Sequence, residues 1–511
     1  MNTTESIIRN ALRCPNSSAI IENEINFSWQ ELSGRVGRLA GALQTCGIGF
    51  GDHVAQLLGN AYRNIESTYA VQWLGAAVVP INIRWTAAEV AFALEDCEAK
   101  LLFVDRQNLA TYQNLPLALT EAITVIWADS GDCPDGMLSY DSLITTSSAA
   151  ARAEVSGTDI SSIFYTGGTT GRSKGVMLSH DNQVAHSIAF IADCGLAAGG
   201  KYLHAAPMFH IADSLFTHVV SMLGGVHVIL PQFSPQGLAE IVSKHQVEFT
   251  VLVPTMIQMV MSDRAVADRV FKVLKHLYYG ASPMPEALTR EILSAYPDLD
   301  LSQAYGQTES SPVLTILPPR WHGKGEPLPQ ARSAGRPIYG TELRIVDSED
   351  RELAIGETGE IVARGPQVMQ GYWKRPEETA AALRGGWLHT GDAGVMDELG
   401  FVYVVDRIKD MIISGGENVY TVEVENAIYD IPGVAQCSVI GLPHEKWGEA
   451  VHAIVVPAAG VDLEEATILN HCREQLADFK RPRSVTILRE PLPISGAGKI
   501  LKRELRAEMI A

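Results

Sequence analysis

Residues Ile163 to Gly175 read Ile-Phe-Tyr-Thr-Gly-Gly-Thr-Thr-Gly-Arg-Ser-Lys-Gly. An apolar lead-in with strand character runs into a segment of small, hydroxyl and basic residues. Gly167, Gly168, Gly171 and Gly175 let consecutive backbone amides converge on one anion. Thr166, Thr169 and Thr170 add hydroxyl donors, and Arg172 and Lys174 add positive charge. That inventory suits a polyphosphate. A Walker A loop is excluded, because Arg172 and Ser173 separate Gly171 from Lys174 where that loop needs Gly-Lys adjacent.

Five further segments carry polar groups in tight turns. Gly280-Ala281-Ser282 follows Tyr279 at the end of an expected strand, where small residues let a flat ring lie against backbone. Tyr305-Gly306-Gln307-Thr308-Glu309 places a hydroxyl and a carboxylate side by side after a glycine turn, a pair able to reach a phosphate oxygen and Mg²⁺. Asp392, in Thr390-Gly391-Asp392, suits the two hydroxyls of a ribose. Asp406-Arg407-Ile408-Lys409-Asp410 follows a strand and brings an arginine toward that acid. Pro493 to Lys499 ends in a lysine on a glycine loop. Each has a plainer reading: a turn, a helix cap, a solvated charge run or a surface lysine.

These segments need elements to hold them. Ser28 and Glu31, then Thr86 and Glu89, have capping-box spacing ahead of apolar helical stripes. His53 to Leu58, Ala77 to Ile81 and Leu101 to Val104 read as strands between helices, the rhythm of parallel β-α-β units. Val226 to Leu230, Phe249 to Val253 and His276 to Tyr279 repeat it, with helices over Pro235 to His245 and Met284 to Tyr296. From Ser333 to Met396, frequent Gly and Pro with short β runs predict a small β subdomain. Beyond a boundary near Lys409, a helix over Val422 to Tyr429, strands over Cys437 to Gly441 and His452 to Val456, and a helix over Glu464 to Ala477 predict an α+β unit.

Length allows this division, since 511 residues exceed one hydrophobic core. The formal net charge of −19 argues against a nucleic-acid surface, so an anionic ligand needs local basic groups. Seven scattered cysteines without a Cys-x-x-Cys pair predict reduced thiols and a cytoplasmic setting. Neither a signal peptide nor an apolar run of membrane length is expected.

In order and spacing, the phosphate loop, Tyr305 to Glu309, Thr390 to Asp392, Asp406 to Lys409 and Lys499 resemble the adenylate-forming superfamily of acyl-CoA synthetases, adenylation domains and beetle luciferases. The loop departs from the family's Thr-Ser-Gly-Thr-Thr-Gly-x-Pro-Lys-Gly at Gly167 and Ser173. The resemblance implies an α/β fold: a large N-terminal domain, residues 1–408, of two doubly wound subdomains and the small β subdomain. A small mobile α+β domain, 409–511, follows.

It also implies that a carboxylate attacks the α-phosphate of ATP with Mg²⁺, giving acyl-AMP and pyrophosphate, and that the thiol of CoA then takes the acyl group. Lys499 resembles the lysine bridging carboxylate and α-phosphate. Thr166, Thr169 and Thr170 match the β/γ-phosphate clamp, with Gly167, Gly168, Gly171 and Lys174 in the same loop. Thr308 matches the α-phosphate contact and Glu309 the Mg²⁺ ligand. Gly280, Ala281 and Ser282 match the adenine shelf, Tyr305 with Gly306 the adenine stack, and Asp392 and Arg407 the ribose contacts. Lys409 holds the hinge position. Gly415, Gly416 and Glu417 would line the pantetheine tunnel, and Trp447 would meet the CoA nucleotide. His210, in Pro207-Met208-Phe209-His210, matches a gate to the acyl pocket.

Met208, Ile211, Phe216 and Met256 predict that this pocket is apolar, for a fatty or aryl acid, and Asp213 is the one nearby acid. Other readings are an adenylating enzyme that loads a carrier protein, a luciferase-like oxygenase, and a nucleotide-binding relative with altered catalysis. The absence of a carrier domain after Ala511 favours free CoA. No nucleic acid or membrane span is expected as a partner, and the assembly is left open, a homodimer included.

Overall fold

The computed structural model describes residues 1–166, 173–282, 284–323, 327–458, 460–494 and 500–510, which form four sheets. The first carries His53–Leu57, Ala77–Pro80, Leu101–Val104 and Ile160–Thr166 as parallel neighbours, with Lys174–Ser179 antiparallel to the last. Four of these strands' central positions are buried throughout because helices cover both faces. Both expected capping boxes form. Ser28 N–H donates to Glu31 Oε2 at 2.8 Å, and the Ser28 hydroxyl accepts from Glu31 N–H at 3.3 Å; Thr86 and Glu89 repeat the pattern at 2.8 and 3.4 Å.

The second sheet is parallel from Val226–Ile229 through Lys201–His204, Phe249–Leu252 and His276–Gly280 to Asp300–Tyr305. Its far edge differs from the consecutive subdomains that the sequence suggests. The hairpin Ser18–Glu22 and Ile25–Ser28 joins it, with Ile20 opposite His227 and Ile21 opposite Val228. The fully buried Ala19 and Ile20 explain the attachment, since a lone hairpin cannot cover its apolar face.

Glu342–Val346, Gly359–Arg364, Leu388–Met396 and Val402–Arg407 build an antiparallel third sheet. The fourth pairs Val434–His444 with Gly448–Pro457 and packs the helices Thr421–Tyr429 and Glu465–Gln475 over a core including Val424, Ile428, Val439 and Ile468. All seven cysteines are free. Among the described residues, no helix is long and apolar enough to cross a membrane.

Candidate active site

The site gathers where strands of the second sheet end. Gly280 and Ala304 are register partners on adjacent parallel strands, so Ala281–Ser282 and Gly306–Glu309 leave the sheet side by side at its carboxyl edge, the usual ligand position in open α/β sheets. Gly306, at φ +155°, has no room for a side chain, since a Cβ there would lie 2.1 Å from the Pro312 carbonyl oxygen. Ala281 at φ 65° and Ser311 at φ 63° hold left-handed backbone, which costs each on the order of 1–2 kcal/mol.

Tyr305 donates its hydroxyl to Asp392 Oδ2 at 2.8 Å, and Arg407 Nε sits 2.6 Å from Asp392 Oδ1. Asp392 and Arg407 are themselves register partners across two strands of the third sheet, so backbone pairing fixes this contact. Burial and the Asp392 carboxylate push the Tyr305 hydroxyl well above its usual range, so it stays a donor. Burial works against the Arg407 charge, but Asp392, Tyr305 and Glu309 outweigh it and raise its pKa. Asp392 is further held by its own N–H on the Thr390 hydroxyl, which in turn donates to the Ile361 carbonyl.

Thr308 and Glu309 occupy a short 3-10 turn and are both buried. Glu309 Oε1 accepts from the Tyr372 hydroxyl at 2.8 Å, and Met369 N–H donates to the Glu309 carbonyl. The Thr308 hydroxyl and Glu309 Oε2 have no partner among the described residues. Tyr372 also links this turn to the phosphate-loop base: its strand pairs with Val176, and the Lys174 ammonium lies 4.9 Å from its ring centre. Thr166 and Lys174 face each other across the loop as register partners. The sequence did not single out Tyr372, because nothing local signals an approach between residues 63 apart.

Gly167, Gly168, Thr169, Thr170, Gly171 and Arg172 lie outside the described residues, as do Ser495 to Lys499. For the latter loop, the described flanks are bridged, Ile494 to Ile500. His210 caps the helix Ile211–Leu223, its Nδ1 accepting from Ala212 N–H at 3.3 Å. Lys409 is exposed in the turn between Val402–Arg407 and Ile412–Ser414. Gly415 and Gly416, at φ 63° and 87°, form the two-residue turn of a hairpin whose Ser414 and Glu417 pair. Gly415 N–H donates to the Trp447 carbonyl at 2.8 Å. The Trp447 ring is half-buried, stacked on His444 at 4.3 Å with the Arg483 guanidinium 4.6 Å from its centre.

Three of the four residues expected around an apolar pocket are packed among core side chains. Phe216 is packed in the core, stacked on Tyr202 at 4.2 Å and edge-on to Phe190. Met208 and Met256 belong to two other core clusters. Ile211 borders a cavity that lies between the helices His180–Cys194 and Ile211–Leu223 beside Ser311. A local apolar pattern cannot distinguish a core side chain from a pocket wall. Asp213 is fully buried, accepting from the Tyr202 hydroxyl at 2.7 Å and paired with His204 Nδ1 at 2.6 Å, so it is committed to the interior.

The pattern of the AMP-binding enzyme family matches residues 7–373, and that of the AMP-binding enzyme C-terminal domain matches 423–499; the chain belongs to this family of adenylate-forming enzymes. It is 36% identical over 504 residues to a feruloyl-CoA synthase of Amycolatopsis sp, covering 98% of this chain and 97% of that one. A fatty acid–[acyl-carrier-protein] ligase of Streptomyces coeruleorubidus is 34% identical, with 96% and 93% covered. Among solved structures, ATP-bound MatB from Rhodopseudomonas palustris superposes with a TM-score of 0.89 at 30% identity, covering 99% of each chain.

Proposed function

We propose that this adenylate-forming enzyme activates a fatty or aryl carboxylic acid with ATP, releasing pyrophosphate, and passes the acyl group from acyl-AMP to CoA. The observation that carries the division of roles is the wall shared by the Tyr305–Asp392–Arg407 cluster and the uncommitted Thr308 hydroxyl and Glu309 oxygen. Two anions must meet, so the protein's work is positioning and charge compensation. Tyr305 and the Gly280–Ser282 shelf hold the adenine. Asp392, fixed on both oxygens, keeps spare lone pairs for ribose hydroxyls. Arg407 adds positive charge, Thr308 donates to the α-phosphate, and Lys174 with Thr166 and the following loop grips the β- and γ-phosphates.

Mg²⁺ fits the donor set. Glu309 offers one carboxylate oxygen beside the Thr308 hydroxyl, the kind of sparse attachment that Mg²⁺ takes beside phosphates and water. Bound there, it would neutralise phosphate charge.

Residues 409–511 act as a separate mobile domain. Lys499 bridges the carboxylate and the α-phosphate for the first step. Rotation at Lys409 then presents Gly415, Gly416, Glu417 and Trp447 to CoA, with His210 gating the acid. A reducing compartment, the cytoplasm, suits seven free thiols. The similarity to a carrier-protein ligase supports a second reading, in which a phosphopantetheine arm replaces CoA.

Lys499→Ala tests the assignment. It should lower acid-dependent pyrophosphate exchange by roughly 10³-fold, while presynthesised acyl-AMP is still converted to thioester. Equal loss in both half-reactions would reject the two-conformation scheme. Thioester formation with a holo carrier protein but not with CoA would favour the second reading.

A further inference from the structure

The strand Leu388–Met396 does not run straight past its neighbour Gly359–Arg364. Val362 lies opposite His389 and Glu360 opposite Ala393, so Ile361 alone faces Thr390, Gly391 and Asp392. Such a bulge bends its strand and re-aims a side chain, here the Asp392 carboxylate that meets Tyr305 and Arg407. Two groups of the neighbouring strand close it. The Ile361 carbonyl accepts from the Thr390 hydroxyl at 2.7 Å, and Glu360 Oε1 accepts from Gly391 N–H at 3.0 Å. Gly391 holds left-handed backbone at φ 71°, and its carbonyl accepts from Ile408 N–H at 3.0 Å, next to Arg407. Asp392 and Arg407 therefore both hang on this bulge.

Glu360 is itself held. Its Oε2 accepts from Arg384 Nη2 at 3.1 Å and lies 2.9 Å from His389 Nδ1. An ionised carboxylate can only accept, so His389 Nδ1 carries the proton. The side chains of His389 and Glu360 are 5% and 15% exposed, which strengthens these bonds relative to a solvated pair. Asp350 pairs with the same guanidinium at 2.9 Å and stands 3.9 Å from His389 Nε2. One oxygen of Glu360 is thus fixed by side chains, and the other fixes the bulge.

We infer that Glu360 and His389 are positioning residues for ribose recognition, setting the bulge from which Asp392 receives the ribose hydroxyls. This inference rests on the ribose role proposed above for Asp392. Tyr305 and Arg407 orient the carboxylate, while the bulge sets where its backbone stands. A displaced bulge would spoil the hydrogen-bond angles to the ribose and leave the adenine and phosphate contacts in place.

The test is binding of AMP, 2′-deoxy-AMP and 3′-deoxy-AMP to the full chain, measured by titration calorimetry. The parent should bind AMP at least tenfold more tightly than either deoxynucleotide, because a missing hydroxyl leaves an Asp392 lone pair without its donor. Glu360→Ala should weaken AMP selectively and cut that ratio at least fivefold, and His389→Leu should cut it at least threefold. Glu360→Gln keeps an acceptor for Gly391 N–H and should restore part of the ratio. Misfolded protein lowers the stoichiometry and leaves the ratio of dissociation constants unchanged. A parent-like ratio in Glu360→Ala, or equal weakening of all three nucleotides, would overturn the inference and leave the ribose role of Asp392 standing. A parent-like ratio in His389→Leu would remove His389 from it. A parent that binds all three alike, or none, would remove the role of Asp392 and the inference with it.

Discussion

Tyr372 holds one oxygen of the carboxylate proposed above as the Mg²⁺ ligand. Its hydrogen bond fixes Glu309 Oε1, which under that proposal leaves Oε2 for the ion. Tyr372→Phe removes only that bond, worth about 1 kcal/mol, so adenylation should slow roughly fivefold and need more Mg²⁺ for half-maximal rate. An unchanged Mg²⁺ dependence would deny Tyr372 this positioning role. The buried histidines make a second prediction. Burial lowers His186 and His218 to about 3 and His180 and His322 to about 4. Below the unfolded value near 6.5 the unfolded chain therefore binds more protons, and stability falls as pH drops toward 4. Each histidine adds up to ~1.4 kcal/mol per pH unit. Urea midpoints at pH 7.5 and 5.5 check this, and an equal or higher midpoint at 5.5 would contradict it. Contiguous residues such as Tyr305 to Glu309 were legible in sequence because one turn holds them. Tyr372 was not, since only tertiary packing brings it near that turn.

Elements repeat the same division. The capping boxes at Ser28 and Thr86 are local hydrogen bonds between residues three apart, and spacing alone reveals them. The junction after Arg407 depends instead on distant partners. Lys502, on the helix Lys502–Ile510, pairs with Glu425 at 2.7 Å and donates to the Thr421 hydroxyl, while Thr421 N–H donates to Asp406. Burial opposes the Lys502 charge, but Glu425 and Asp406 hold its pKa above the ordinary value. The cluster therefore joins the strand bearing Arg407 to the helix that begins three residues after Lys499. Lys502→Met leaves Glu425 without its cation and should cost about 2 kcal/mol, read as a lower thermal midpoint. A midpoint within half a degree of the parent would show the cluster to be dispensable.

Across the whole molecule, the Asp406–Thr421–Lys502 cluster is a buried tie across the proposed hinge, and two further ties join helices flanking the large sheets to residues after 411. Gln258 donates to the Ala435 carbonyl at 2.7 Å, and Arg290 pairs with Asp430 at 3.0 Å with both side chains about half exposed. An exposed pair contributes roughly 0–1 kcal/mol, little enough for the proposed rotation at Lys409 to break it. Lys409→Pro fixes φ near −65° and should slow thioester formation more than tenfold while sparing pyrophosphate exchange. Unimpaired thioester formation would exclude Lys409 as the pivot. The architecture class was legible from alternating strand and helix patterns; strand order was not, because pairing partners leave no local mark.

The hairpin at residues 18–28 has a consequence for biosynthesis. Its partner strand follows about 200 residues later, Ile21 lying opposite Val228. At ribosomal rates of about 5–20 residues per second, the hairpin waits roughly 10–40 s with one edge unpaired. During that interval it is an open template for another chain, and a chaperone that shields strand edges should raise the yield of native protein.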